Sequence, residues 1–90
     1  MKSIITGRNE CWICGRTVDL QTHHVMHGTA NRKLADDDGL TVKLCARCHA
    51  DLHDKGFYDK ELQKEGMRKW IQFYGKTEDD FRQRYGKVIV

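Results

Sequence analysis

An α+β fold too small to stand on apolar packing alone is what this sequence predicts, and three observations carry that expectation. The chain has 90 residues, of which 39% are hydrophobic and 32% charged. At this length only about 60% of the unfolded chain's surface is buried on folding, so the core is marginal. Four cysteines fall as Cys11-x-x-Cys14 and Cys45-x-x-Cys48, with 30 residues between the pairs. Finally, short stretches with strand-like alternation lie between the pairs, whereas the last third carries helical periodicity.

The elements follow in order. Residues 1–10 read as an arm with a short strand at Ser3 to Thr6, leading into a turn at Cys11-Trp12-Ile13-Cys14-Gly15. Thr17 to Val25 alternates as a half-buried strand with Val18, Leu20 and Val25 as its apolar positions. Met26 to Gly39 holds Gly28, Asn31, Arg32, Lys33 and the run Asp36-Asp37-Asp38, and is expected to be a loop. Leu40 to Leu44 alternates again and ends on Cys45. A helix is expected from Cys48 to about Asp54, stopped by Gly56. Asp59 to Tyr74 sets Leu62, Met67, Trp70, Ile71 and Tyr74 at helical spacing before Gly75, an aromatic-rich stripe that reads as core. Thr77 opens a last helix, with Asp80 three residues on as an approximate capping box. Nothing marks a second domain, so residues 1–90 are expected to form one.

Two close cysteine pairs far apart in sequence are what a shared tetrahedral Zn²⁺ requires, each turn offering two thiolates at about 2.3 Å. Disulfides fit less well, because a Cys-x-x-Cys bridge closes a tiny loop and constrains the unfolded chain little. Cys11, Cys14, Cys45 and Cys48 are therefore expected to hold a structural zinc. The chain shows no run of 18 apolar residues and no apolar stretch of a secretory signal near Met1, which predicts neither membrane spanning nor classical export and points to the cytoplasm. Sixteen Lys and Arg against 13 Asp and Glu give a formal charge of +3. Residues 1–54 hold seven of each sign and residues 55–90 nine basic against six acidic, so the excess is C-terminal. Such charges read either as a solvated helix face or as a surface for a polyanion.

The five histidines are clustered. His49 and His53 are spaced i, i+4, which on a helix puts both imidazoles on one face, where they can chelate one ion. That helix starts beside a zinc cysteine. His23 and His24 end the first expected strand and would point to opposite faces unless the strand breaks there. If it does not break, one fills space in the fold and the other meets solvent.

The segments Leu20-Gln21-Thr22-His23-His24-Val25 and Leu44-Cys45-Ala46-Arg47-Cys48-His49-Ala50-Asp51-Leu52-His53, framed by Cys11-x-x-Cys14, resemble the HNH nuclease family. The resemblance covers about residues 11–54, the histidines being similar to those of bacterial colicin nuclease domains and the size and zinc to those of phage-type HNH endonucleases. It implies a ββα-metal finger over 11–54 with residues 55–90 as a helical extension, and an intracellular enzyme of bacterial or phage origin that hydrolyses or nicks DNA. It further implies His24 as general base, and His23, His49 and His53 as ligands of one catalytic divalent ion. The family's middle Asn is missing: Asp38-Gly39-Leu40-Thr41 stands where it usually lies, and Asn31 is the only Asn of the loop. Since that Asn orients the base, its absence bears on efficiency more than on metal binding.

The residue types suit such chemistry independently. A neutral imidazole is a competent base near neutral pH, and a divalent ion neutralises charge developing on a phosphate. Imidazole ligands favour Mn²⁺, Ni²⁺, Co²⁺ or Zn²⁺ ahead of Mg²⁺, which prefers oxygen. Arg32, Lys33 and Arg47, with Arg68 and Lys69 further on, are the expected phosphate contacts. The same residues remain open to a different reading, a non-catalytic zinc-finger module that binds nucleic acid or protein.

Overall fold

A computed structural model describes residues 2–89; Met1 of the expected arm and Val90 of the helical extension lie outside the described residues. Among the described residues the chain is a small α+β protein with a two-stranded sheet and four helices, in the order β1 (Leu20–His24), α1 (Thr29–Asp38), β2 (Thr41–Cys45), α2 (Ala46–Lys55), α3 (Asp59–Tyr74) and α4 (Glu78–Tyr85). β1 and β2 pair antiparallel, with Leu20 opposite Cys45 and His24 opposite Thr41. One cluster of buried residues runs through the molecule from Ile5, Val25, Met26 and Leu44 to Leu62, Trp70, Phe81 and Tyr85.

Four sequence expectations need correction. Met26 to Gly39 is not a loop, because Thr29–Asp38 forms α1. Its polar run conceals a one-sided helix in which Ala35 and Asp38, three residues apart, are the buried positions. The arm is not a strand at Ser3 to Thr6. The Ser3 hydroxyl instead accepts from the N–H groups of Ile5 and Thr6, at 3.1 and 3.2 Å, and this turn drops Ile5 into the core. The first strand is only five residues long, and Val18 is 54% exposed rather than inward. Asp19, at φ 54, breaks the extended backbone just before the strand begins. Finally, the helix expected from Cys48 begins at Ala46, so both cysteines of that pair sit on its first turn or its cap.

The C-terminal helices follow their periodicity. α3 buries Leu62, Gly66, Met67 and Trp70. Gly66 permits close packing, since a Cβ there would stand 3.0 Å from Val25 Cγ1. α4 opens on the expected capping box, with Thr77 Oγ1 accepting from Asp80 N–H at 3.1 Å and Asp80 Oδ2 accepting from Thr77 N–H at 3.0 Å.

These two helices are fastened to the rest through Asp38 at the end of α1. Its buried carboxylate accepts from Trp70 Nε1 at 2.9 Å, from Tyr85 Oη at 2.7 Å and from the Arg84 guanidinium at 2.6 and 2.8 Å. Its carbonyl accepts from Tyr74 Oη at 3.0 Å. Burial, with the Asp38 carboxylate next, pushes the Tyr85 phenol well above its ordinary range and keeps it a donor.

Candidate metal centre

Among the described residues, two clusters of ligating side chains lie before residue 56. The first joins Cys11, Cys14, Cys45 and Cys48, whose sulfurs all lie within 4.8 Å of one another. Cys14 Sγ and Cys45 Sγ stand 3.7 Å apart, too far for a disulfide. A tetrahedron with bonds of about 2.3 Å has edges of about 3.8 Å, so the spacing suits one metal ion such as zinc. The turn is held by Gly15 N–H donating to Cys11 O at 2.9 Å and Cys11 N–H to Arg16 O at 2.7 Å. It is tied to β2 by Trp12 N–H donating to Lys43 O at 2.8 Å. Burial pushes the Cys11 thiol up, but backbone N–H groups of Cys14, Cys45 and Ile13 outweigh it and bring it down to about 6. The N–H of Cys48 likewise lowers Cys45, whereas burial and the neighbouring sulfurs raise Cys48.

The second cluster is His23, His49 and His53. His23 Nδ1 lies 3.3 Å from His49 Nε2, and His53 Nε2 lies 3.0 Å from the same atom. Donor nitrogens at about 2.1 Å from one ion are about 3.0 Å apart in octahedral and about 3.4 Å apart in tetrahedral geometry. These distances therefore fit shared ligation. His23 is 2% exposed, and its Nε2 is buried without a hydrogen-bond partner. That atom lies across the ring from the Nδ1 that meets His49, so it is not the ligating nitrogen, and leaving it unpaired costs roughly 1–3 kcal/mol. Burial first, and then the neighbouring imidazoles, lower His23 to about 4, and burial with His53 lowers His49. Both are thus neutral, as ligation demands.

Strand and helix geometry aim these rings. Alternation along β1 turns Gln21 and His23 to the face covered by α2, and the i, i+4 spacing brings His49 and His53 to meet them. Gln21 Oε1 accepts from His49 Nδ1 at 2.6 Å, which fixes the tautomer and leaves the Nε2 lone pair facing the cluster. β1 ends at His24, and there the chain turns enough for His23 and His24 to line one cavity of about 240 Å³ together with His27, His49, His53 and Arg32. His24 is half-buried, and its Nε2 stands 3.5 Å from Asp36 Oδ1 on α1. His27 closes the other side, its Nε2 2.7 Å from Asp59 Oδ1 at the start of α3.

Of the expected phosphate contacts, Arg32 lines this cavity. Lys33 and Arg47 are exposed and Lys69 half-exposed, while Arg68 is paired with Glu65 on its own helix, at 2.6 Å. Asn31 does not face His24; its side-chain amide donates to Tyr85 O at 3.2 Å. Sequence reasoning missed Gln21, Asp36 and Asp59. The i, i+12, i, i+28 and i, i+32 partnerships they make have no local periodic signal, although Gln21 two residues before His23 on a strand shares its face.

Among the described residues no helix is long and apolar enough to cross a membrane. No protein-family model matches the chain, and no curated protein and no solved structure does.

Proposed function

We propose that this protein is a small metal-dependent endonuclease of the HNH type that hydrolyses or nicks DNA. In this reading Cys11, Cys14, Cys45 and Cys48 hold a structural zinc. His23, His49 and His53 hold one divalent ion, and His24 is the general base. The observation that carries it is the convergence of three imidazoles at 3.0 and 3.3 Å beside that of His24 on the same cavity. The paired strands β1 and β2 followed by α2, braced by cysteines before β1 and at the β2–α2 junction, support a ββα-metal arrangement.

An ion in the imidazole cluster supplies Lewis-acid neutralisation of the charge that develops on a phosphate under attack. The chain's own groups do the remaining work. An Nε2–H of His24 directed at Asp36 leaves Nδ1 as the basic nitrogen, able to take a proton from water. Asp36 rather than an Asn is thus the side chain in contact with the base. Arg32 on the cavity wall offers a planar set of donors to phosphate oxygens. A module that only bound zinc would have no use for a further imidazole beside the three of the cluster.

The test is nicking of supercoiled plasmid with a panel of Mn²⁺, Co²⁺, Ni²⁺, Zn²⁺ and Mg²⁺, alongside metal counting. The expected result is one tightly held zinc, one exchangeable ion and ion-dependent nicking. His24→Ala should slow cleavage by about 10²–10⁴-fold with metal content unchanged, the loss typical of a missing general base. His49→Ala or His53→Ala should lose the exchangeable ion. A single zinc and no cleavage with any ion favours a binding module, and release of the second ion by His24→Ala exchanges the roles of His23 and His24.

A further inference from the structure

On the sheet face turned away from the His23–His49 contact, the N-terminal arm and β2 enclose a second and larger cleft, of about 490 Å³. It follows from the strand register. Because Gln21 and His23 face α2, Thr22 and its cross-strand partner Lys43 face the opposite way. The arm is pinned along that face. Ser3 Oγ donates to Thr41 O at 2.5 Å, and Ile4 N–H donates to Gly39 O at 2.9 Å. Gly39 is the point of closest approach, with φ 78 and room only for hydrogen, since a Cβ would come within 2.5 Å of Lys2 O.

The arm thereby brings Lys2 and Arg8 to a cleft whose floor carries Lys43. Lys43 Nζ donates to Thr22 Oγ1 at 2.7 Å, which holds the ammonium in place and leaves two of its three protons for a ligand. The Arg8 guanidinium pairs with Glu10 at 3.2 Å, but its side chain is 81% exposed, and such a pair yields readily to a stronger anion. Asp36 is the acidic residue among the described ones lining the cleft, and it faces His24. Thr22 lines both cavities, and the His24–Asp36 contact marks their common rim. Two cations of the arm and one of β2 thus line a cleft that shares Thr22 with the imidazole cavity.

We propose that this cleft binds a backbone phosphate of the DNA strand next to the one held at the imidazole cluster, so that Lys2, Arg8 and Lys43 place a polynucleotide and not an isolated phosphodiester. The assignment rests on the nuclease reading for what happens at the neighbouring cavity. Contacts of this kind position the strand without reading its sequence.

The experiment measures binding of a short fluorescent DNA duplex by anisotropy across a range of salt, for the wild-type chain and for Arg8→Gln/Lys43→Gln. Each phosphate contact contributes about 0.9 to the slope of log affinity against log salt, so the double variant, which strips two of the three cations from this one phosphate, should flatten it by about 0.9. Arg8→Gln alone, on the exposed arm where folding is not at stake, should flatten it by a smaller part of that amount. The ratio of plasmid nicking to hydrolysis of bis(4-nitrophenyl) phosphate should fall about tenfold in the double variant. An unchanged slope in both variants overturns the cleft assignment whatever the enzyme does. A flattened slope in a protein that hydrolyses neither substrate keeps the cleft and overturns the nuclease reading instead.

Discussion

The imidazole cluster and the Asp38 hub are both buried polar assemblies, and the difference between them separates function from architecture. Asp38 has each carboxylate oxygen matched by donors from Trp70, Arg84 and Tyr85, all between 2.6 and 2.9 Å. Such a network is fully satisfied from within the chain and locks helices together. Around His23 the accounting does not close. Three nitrogens, His23 Nδ1, His49 Nε2 and His53 Nε2, crowd together and cannot all donate to one another, whereas their lone pairs could share one ion. The same contrast separates the halves of the molecule: two ligand clusters organise residues 11–55, whereas aromatic packing of Trp70, Phe81 and Tyr85 organises α3 and α4.

The hardest break of the comparison is to deny the cysteine cluster the metal ion it can hold. Ligation by four cysteines contributes roughly 10–16 kcal/mol in small zinc domains, more than a domain of this size has to spare. Cys45→Ser is expected to abolish cooperative unfolding in a calorimetric scan, and native NMR dispersion in a zinc-free sample would contradict this. Next in size is Asp38→Ala, which strands the Arg84 guanidinium and two buried donors. A loss of about 2–4 kcal/mol in urea is expected, mostly from the unpaired Trp70 and Tyr85 donors, with metal content unchanged. A loss below about 1 kcal/mol would show that the hub is dispensable.

Acid sharpens the comparison from the other side. Folding holds His23 neutral down to about pH 4, while an unfolded histidine protonates near 6.5. The stability this contributes is complete above 6.5 and is lost as the pH falls toward 4. With one equivalent of zinc in the cysteine cluster, the wild type should lose about 1.4 kcal/mol more than His23→Gln between pH 7.5 and 5.5. Parallel pH profiles would show that His23 is not held neutral. The smallest effect is expected at Thr77→Ala, which deletes the capping box of α4 and should cost about 1 kcal/mol without touching metal binding.

Much of this was legible in the residues. β2, the bounds of α3 and the Thr77 cap follow from alternation, periodicity and a capping pattern, each readable within a window of a few residues. α1 was not, because its helical face consists of Ala35 and Asp38, and an aspartate reads as buried only once Trp70, Arg84 and Tyr85 are known to surround it. Val18 misled for the opposite reason: its apolar side chain suited a strand that Asp19 interrupts.

By itself the sequence determined which atoms can bind a metal, since the spacing of Cys11, Cys14, Cys45 and Cys48 and of His49 and His53 is a property of single turns and of one helical repeat. Only the tertiary structure decided what those atoms face. It brought His23 from a strand onto His49, Gln21 behind it, Asp59 against His27, and Lys2, Arg8 and Lys43 around one cleft. Ligand spacing is local geometry, written in consecutive residues. The partner of a polar side chain some 26 or 32 residues away is set by strand register and by which helix face the core claims, and neither has a local signature.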